Sequence, residues 1–255
     1  MIPRLNAAFL DVPIAHRALH NMAEGQPENS RAAIRAAIAH GYAIEIDVQL
    51  SADNQAVVFH DYTLDRLTAT SGRLRGLSSV DLSKIPLKGG HEAIPALPDI
   101  LGIVAGQVPV VIEIKDQDGA MGPKIGPLET AVAAALEPYP GPVAVMSFNP
   151  HSVAHMAELC PCVPRGLVTS DYAYSDWPLP AAICDRLRAI PDYDRVGASF
   201  ISHEVTDLAR GRVAELKRAG ADVLCWTVTS PQVEAEALGI ADNITFEGYL
   251  AQFPG

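Results

Sequence analysis

The chain is short of positive charge. Its 19 lysines and arginines face 30 aspartates and glutamates, for a formal net charge of −11. A surface of that sign repels nucleic acid and anionic bilayers, so neither is an expected partner. Any phosphate site must then be a local positive spot, of the kind a bound divalent cation supplies. Cysteine is also scarce. Cys160, Cys162, Cys184 and Cys225 lack the paired spacing of a zinc site, and Cys160-Pro161-Cys162 is too tight for a metal knuckle. Free, mostly buried thiols in a reducing compartment are expected. Long hydrophobic runs are missing as well, and none approaches the ~18 residues needed to span a bilayer. Residues 1–12 show no basic segment followed by an apolar one. These absences predict a cytoplasmic chain without stable membrane insertion. No internal repeat, low-complexity run or linker divides it.

What is present is a rhythm. Short β-rich apolar runs occur at 12–15, 43–49, 108–115, 143–147, 163–169, 195–200, 223–227 and 243–246. Segments with helical spacing lie between most of them, at 30–40, 97–106, 128–136, 150–159, 205–219 and 231–238. Strand–helix alternation implies right-handed βαβ units and a parallel sheet. Eight such units in 255 residues predict an α/β (β/α)8 TIM barrel, with a doubly wound open sheet as the alternative. One stretch breaks the rhythm. After Gln49 the gap to Val57-Val58-Phe59-His60 is too short for a crossover helix and reads as a hairpin turning at Asp53-Asn54. The polar stretch 61–94 reads as a small insertion after the second strand, over one mouth of the barrel. The whole of 1–255 is thus expected to be one barrel domain.

Four places put titratable residues where a barrel should be apolar. His16 and Arg17 follow the first strand, at the rim where barrel active sites lie. In Ile44-Glu45-Ile46-Asp47-Val48 strand alternation puts both carboxylates on one face. The apolar face must meet the helices, so Glu45 and Asp47 point into the barrel. Two ionised carboxylates in a dry interior cost several kcal/mol each unless compensated, and a hard divalent cation, Mg²⁺ or Ca²⁺, is the natural compensation. The same alternation in Val111-Ile112-Glu113-Ile114-Lys115 adds Glu113 at the same height, with Lys115 one step nearer the rim to meet a phosphate oxygen. Finally, a hairpin turning near Asp53 brings His60 back to about the level of residue 46. Three carboxylates, two imidazoles, an Arg and a Lys at one mouth suit phosphodiester hydrolysis. Cations offset charge on the non-bridging oxygens, and one histidine activates the nucleophile while the other protonates the leaving alcohol.

These residues resemble the glycerophosphodiester phosphodiesterase family, of the PLC-like phosphodiesterase barrels, over about 12–247. The family's His-Arg-Gly and Pro-Glu-Asn-Thr stand here as His16-Arg17-Ala18 and Pro27-Glu28-Asn29-Ser30. Its E-x-D-V and His-Asp pair are Glu45-Ile46-Asp47-Val48 and His60-Asp61. Leu64-Asp65-Arg66-Leu67-Thr68 with Gly72, Ile94-Pro95-Ala96-Leu97, Ile112 to Lys115 and Trp226-Thr227-Val228 match further motifs. The resemblance implies that Glu45, Asp47 and Glu113 bind one Mg²⁺ or Ca²⁺. It implies His16 and His60 as the acid/base pair and Arg17 and Lys115 as phosphate ligands. The implied reaction splits a glycerophosphodiester into glycerol 3-phosphate and an alcohol, either by water attack or through a cyclic phosphate. Ala18 departs from the family's Gly, where a methyl group crowds the backbone or blocks a positive φ. Thr245-Phe246-Glu247-Gly248-Tyr249 departs from its Thr-Asp-x-Pro. Neither departure is expected to touch a ligand or acid/base group.

Trp226 and Phe148 follow strands near the rim and are candidates for the pocket wall. His151 and His155 fit a surface helix face, and His20, His40, His91 and His203 have no nameable partner. Glu28-Asn29-Ser30 reads equally well as a helix N-cap. Rival readings are a lipid-directed, phospholipase D-like or sphingomyelinase D-like enzyme on the same residues, an enolase-type barrel, and a catalytically silent metal-binding barrel.

Overall fold

The computed structural model describes residues 2–253. Its strands are β1 (Ile14–Ala15), β2 (Ala43–Leu50), β3 (Ala56–Val58), β4 (Val110–Ile114), β5 (Val143–Ser147), β6 (Arg165–Thr169), β7 (Phe200–Glu204), β8 (Asp222–Val228) and β9 (Asn243–Phe246). They lie in the order β1-β9-β8-β7-β6-β5-β4-β2-β3, and β1 also pairs with β2. That last pairing closes eight parallel strands into a TIM barrel. β3 stands outside the ring, antiparallel on β2, as the hairpin reading requires. The helices are α1 (Arg31–His40), α2 (Ser79–Leu82), α3 (Leu97–Val104), α4 (Pro127–Leu136), α5 (Pro150–Leu159), α6 (Ala181–Arg188), α7 (Gly211–Arg218) and α8 (Pro231–Ala237).

Local chemistry starts and stops these helices. Ser30 Oγ accepts from Ala33 N at 3.1 Å to cap α1, and Gly41 ends that helix at φ 78°. Pro150 and Pro231 occupy first turns, where their missing N–H costs nothing. Alternation then sorts the strands. Ile44, Ile46, Val48, Ile112 and Ile114 join an apolar layer with Ile34 of α1 and Ile100 of α3. Ala43 and Val111 belong instead to a cluster inside the ring, with Phe200, Leu224 and the N-terminal Phe9. Apolar side chains therefore fill the lower interior, while Glu45, Asp47 and Glu113 continue the same inward column toward the upper mouth.

Two expectations shift. The run 195–200 is not a strand; β7 begins at Phe200. Gly197, at φ 60°, turns the chain, and Arg165 Nε donates to Val196 O at 3.1 Å, so this stretch approaches the barrel as a buried loop. The helix expected over 205–219 is a 3-10 turn at Val205–Asp207 followed by the shorter α7. Helix α6 had no predicted counterpart, because prolines crowd its start and its eight residues are mostly charged or small. Residues 61–94 build a satellite core of Leu64, Leu67, Leu74, Leu82, Leu87 and Ile94 against Val57 and Phe59. Among the described residues no helix is long and apolar enough to cross a membrane.

Asp53 ties the hairpin to α2. It accepts from Ser51 Oγ at 2.6 Å and from Ser79 N and Oγ at 2.8 Å. These bonds, Ser51's first, draw its pKa down to about 2, from about 3.9 in an unfolded chain. A carboxyl depressed on folding contributes stability above its unfolded pKa and loses it as pH falls toward the folded one. Asp53→Asn should therefore lower the thermal midpoint at pH 7. The gap from wild type should shrink as the pH of the melt drops from 4 toward 2; a gap that does not change with pH would contradict this account.

Candidate active site

The mouth is organised by two left-handed residues in succession. His16 N donates to Phe246 O at 2.9 Å, and the chain then turns through Arg17 at φ 51° and Ala18 at φ 64°. Such backbone costs roughly 1–2 kcal/mol per non-glycine residue. It aims Arg17 N at Glu45 Oε2, 2.9 Å away, and Ala18 N at Glu45 O, also 2.9 Å. Ala18 thus adopts the positive φ that a glycine would take freely, and its methyl group is buried in the helix-facing apolar layer rather than blocking the turn.

Glu45 and Asp47 are each 1% exposed, and β2–β4 register sets Asp47 directly beside Glu113. One oxygen from each of these three residues lies within 4.8 Å of the others. Lys115 Nζ sits 2.7 Å from both Asp47 Oδ1 and Glu113 Oε1, so its ammonium is held among the carboxylates. Arg17 Nε lies 3.7 Å from Asp47 Oδ2. Burial, then repulsion from Asp47 and Glu113, pushes the Glu45 carboxyl well above its ordinary pKa. Burial opposes ionisation of Asp47 too, but Lys115, His60 and Arg17 outweigh it and hold that carboxyl low. Glu45 Oε1 is buried without a hydrogen-bond partner. An orphaned oxygen within a three-carboxylate cradle fits a hard divalent cation, whose charge would supply the missing compensation.

The two imidazoles are held alike. His60 Nδ1 lies 2.7 Å from Asp61 Oδ1, and His16 Nδ1 lies 2.7 Å from Glu247 Oε2. The hairpin register of Val58 with Val48 continues to His60, and Phe59 N donates to Asp47 O at 3.0 Å. Asp61 is bound in turn by Arg66 Nε at 2.6 Å. Arg66 donates twice to Glu28 at 2.7 Å, and Arg17 Nη1 donates to the same carboxylate at 2.9 Å. An unbroken polar chain therefore runs from Arg17 to His60 and ties the insertion to the barrel.

A cavity of about 250 Å³ brings His16, Arg17, Glu45, His60, Glu113 and Lys115 together. Phe148, Trp226 and Trp177 wall it, with Phe148 stacked edge-on to Trp226 at 5.6 Å and tilted against Trp177 at 4.9 Å. Asp47 is not among its lining residues but pairs with Lys115, which is. A second hollow of about 440 Å³ adjoins, sharing His60, Glu113 and Lys115 and bordered by Tyr62 and Thr63 of the insertion.

Sequence reasoning missed several partners. Asn29, read as part of a helix cap, donates to Asp47 Oδ2 at 2.9 Å and accepts from Asp47 N at 3.2 Å. Glu28, Asp61 and Arg66 were visible only as motif letters, and Trp177 had no signal beyond being one of two tryptophans. The expectation that the altered C-terminal segment leaves the acid/base groups untouched is wrong: its Glu247 is the partner of His16. His20, without a nameable partner, lies 3.5 Å from the same oxygen. His203 is fully buried and 2.7 Å from Thr169 Oγ1, outside the cavity.

The chain is similar to known proteins. The profile of the glycerophosphoryl diester phosphodiesterase family matches residues 16–245. YhdW of Bacillus subtilis is 27% identical over 243 residues, covering 91% of this chain and 93% of its own. A glycerophosphodiester phosphodiesterase of Caldanaerobacter subterraneus is 30% identical over 165 residues, 61% of this chain and 65% of its own. An Oleispira antarctica phosphodiesterase, solved in complex with the product sn-glycerol-3-phosphate, superposes with a TM-score of 0.75 at 22% identity over 94% of each chain. That last likeness concerns the barrel alone.

Asn29 also generates a prediction. Its φ is 59°, a conformation asparagine tolerates better than alanine, and both its amide atoms serve Asp47. Asn29→Ala should destabilise by about 2–4 kcal/mol in denaturant unfolding at pH 7, from lost bonds to a buried charge and added backbone strain. A loss under about 0.5 kcal/mol, typical of an idle surface position, would show that Asp47 does not depend on it.

Proposed function

This chain belongs to the glycerophosphoryl diester phosphodiesterase family and is a phosphoric diester hydrolase, and we propose that it cleaves glycerophosphodiesters to glycerol 3-phosphate and an alcohol by metal-dependent, histidine-assisted hydrolysis. The observation that carries this reading is the meeting of a three-carboxylate cradle with two carboxylate-tethered imidazoles on one cavity.

In this reading Glu45, Asp47 and Glu113 hold one Mg²⁺ or Ca²⁺. When bound, the ion supplies positive charge to the non-bridging phosphate oxygens as negative charge builds there. Arg17 adds a fixed guanidinium, and Lys115 exchanges part of its pairing with Asp47 and Glu113 for a phosphate oxygen. The phosphate is thus met by cations although the protein as a whole is acidic. Among the described residues Nε2 of His16 and of His60 has no partner, because in both rings the carboxylate takes Nδ1. Each ring can therefore accept or deliver a proton at Nε2. One takes it from the attacking oxygen and the other gives it to the departing alcohol. Phe148 and Trp226 wall the pocket and keep water from the far side of the phosphate. The alcohol reaches solvent through the adjoining hollow beside Tyr62. All four thiols are free, which supports a reducing, cytoplasmic location.

Purified protein should release glycerol 3-phosphate from glycerophosphocholine or glycerophosphoethanolamine with Mg²⁺ or Ca²⁺, and lose that turnover in EDTA. His16→Ala and His60→Ala should each cost about 10²- to 10⁴-fold in kcat. Calorimetry separates the metal from the chemistry. A cation at 100 times its Kd adds about 2.7 kcal/mol to stability. Glu45→Gln should abolish that rise while leaving the EDTA-treated protein at least as stable as wild type, because it removes a buried like charge. Full turnover in EDTA would sink the metal-dependent reading.

A further inference from the structure

Glu247 is the first residue past β9, where the chain departs from the family's Thr-Asp-x-Pro. It and His16 are both anchored by barrel backbone. His16 N donates to Phe246 O, and Glu247 N donates to Val228 O, each at 2.9 Å. The ring and the carboxylate meet across the β1–β9 seam at 2.7 Å. His20 Nε2 reaches the same Oε2 from the far side, at 3.5 Å. Glu247 and His20 line a separate hollow of about 520 Å³, and Glu247 is not among the residues lining the catalytic cavity. Whatever Glu247 does for the reaction, it does through His16.

An acceptor fixed at Nδ1 holds the proton of a neutral imidazole on that nitrogen and leaves the Nε2 lone pair free. When the ring takes up a second proton, the same carboxylate stabilises the imidazolium. The charged and titratable groups facing His16 are Arg17 beside it, Asp47 from β2, Glu247 after β9 and, around the shared cavity, Glu45, His60, Glu113 and Lys115. Burial pulls the His16 pKa down, and the bond to Glu247 is the leading opposing influence. The hydrogen bond from His16, with the His20 ring close by, holds the Glu247 carboxyl well below its usual range, so it is ionised.

From this geometry we infer that Glu247 is a positioning residue for phosphodiester hydrolysis, fixing the tautomer and orientation of His16. The inference rests on the reading of His16 as a proton-transfer group.

The test compares Glu247→Gln, Glu247→Asp and His16→Ala in the metal-loaded full-length protein. Glu247→Gln should lower kcat by about 10- to 100-fold, by analogy with the loss of carboxylates that orient metal-bound histidines. KM should change by less than about 2-fold, because substrate contacts are intact. The limb of the pH profile set by His16 should move to lower pH whichever way that ring passes its proton, since the imidazolium loses its anionic partner. Glu247→Asp should restore part of kcat and of the limb. Imidazole ¹⁵N NMR should read the Nδ1–H form of His16 in wild type and a tautomer mixture in Glu247→Gln. An inactive His16→Ala beside a Glu247→Gln with unchanged kcat and pH limb would overturn the positioning role and leave His16 in place. A fully active His16→Ala would overturn both readings. A Glu247→Gln that loses kcat with neither limb nor tautomer altered would also overturn the inference, assigning the loss to general structure.

Discussion

Everything at the mouth follows from three carboxylates confined to the barrel interior. Like charges in a dry space repel and lose hydration, at several kcal/mol each when uncompensated. The protein answers locally: Lys115 sits between Asp47 and Glu113, Asn29 clasps Asp47, and the backbone N–H of Arg17 meets Glu45. One oxygen of Glu45 is left unanswered. The three carboxylates form a cradle whose donor set fits a hard cation, and the strained turn at Arg17 and Ala18 is part of the arrangement that maintains it.

A second layer of carboxylates governs the imidazoles. Asp61 holds His60 and is itself locked by Arg66 and Glu28 into the network that reaches Arg17. Glu247 holds His16 with fewer supports and more exposure, its side chain being 33% accessible. The two rings share one logic, a tethered Nδ1 and a free Nε2, but differ in rigidity. The insertion 61–94 contributes by carrying Asp61 and Arg66 on a satellite core of its own, so that His60 is placed by packing as well as by strand register.

The inward column of β2 and β4 was legible because side chains on a strand alternate with period two, and five buried aliphatic residues on the opposite face leave no other choice. His60 was legible because a hairpin register is countable. The run 195–200 misled because Val196 and Ala198 are buried as a strand's residues would be, while Gly197 bends the chain there and the paired segment starts later. Helix α6 escaped because eight residues carry too few apolar positions for a period to show.

The amino-acid sequence by itself thus determined the barrel, the inward carboxylates and the convergence of two histidines, since each rests on local periodicity or on spacing along one hairpin. Tertiary structure alone decided the partners. Glu247 stands 231 residues from His16, and Glu28 stands 38 from Arg66. No local pattern connects such positions, because their distance is set by closure of the β1–β9 seam and by the docking of the insertion. Closure also decides which carboxylate oxygen is left without a donor, a property of the assembled site rather than of any segment within it.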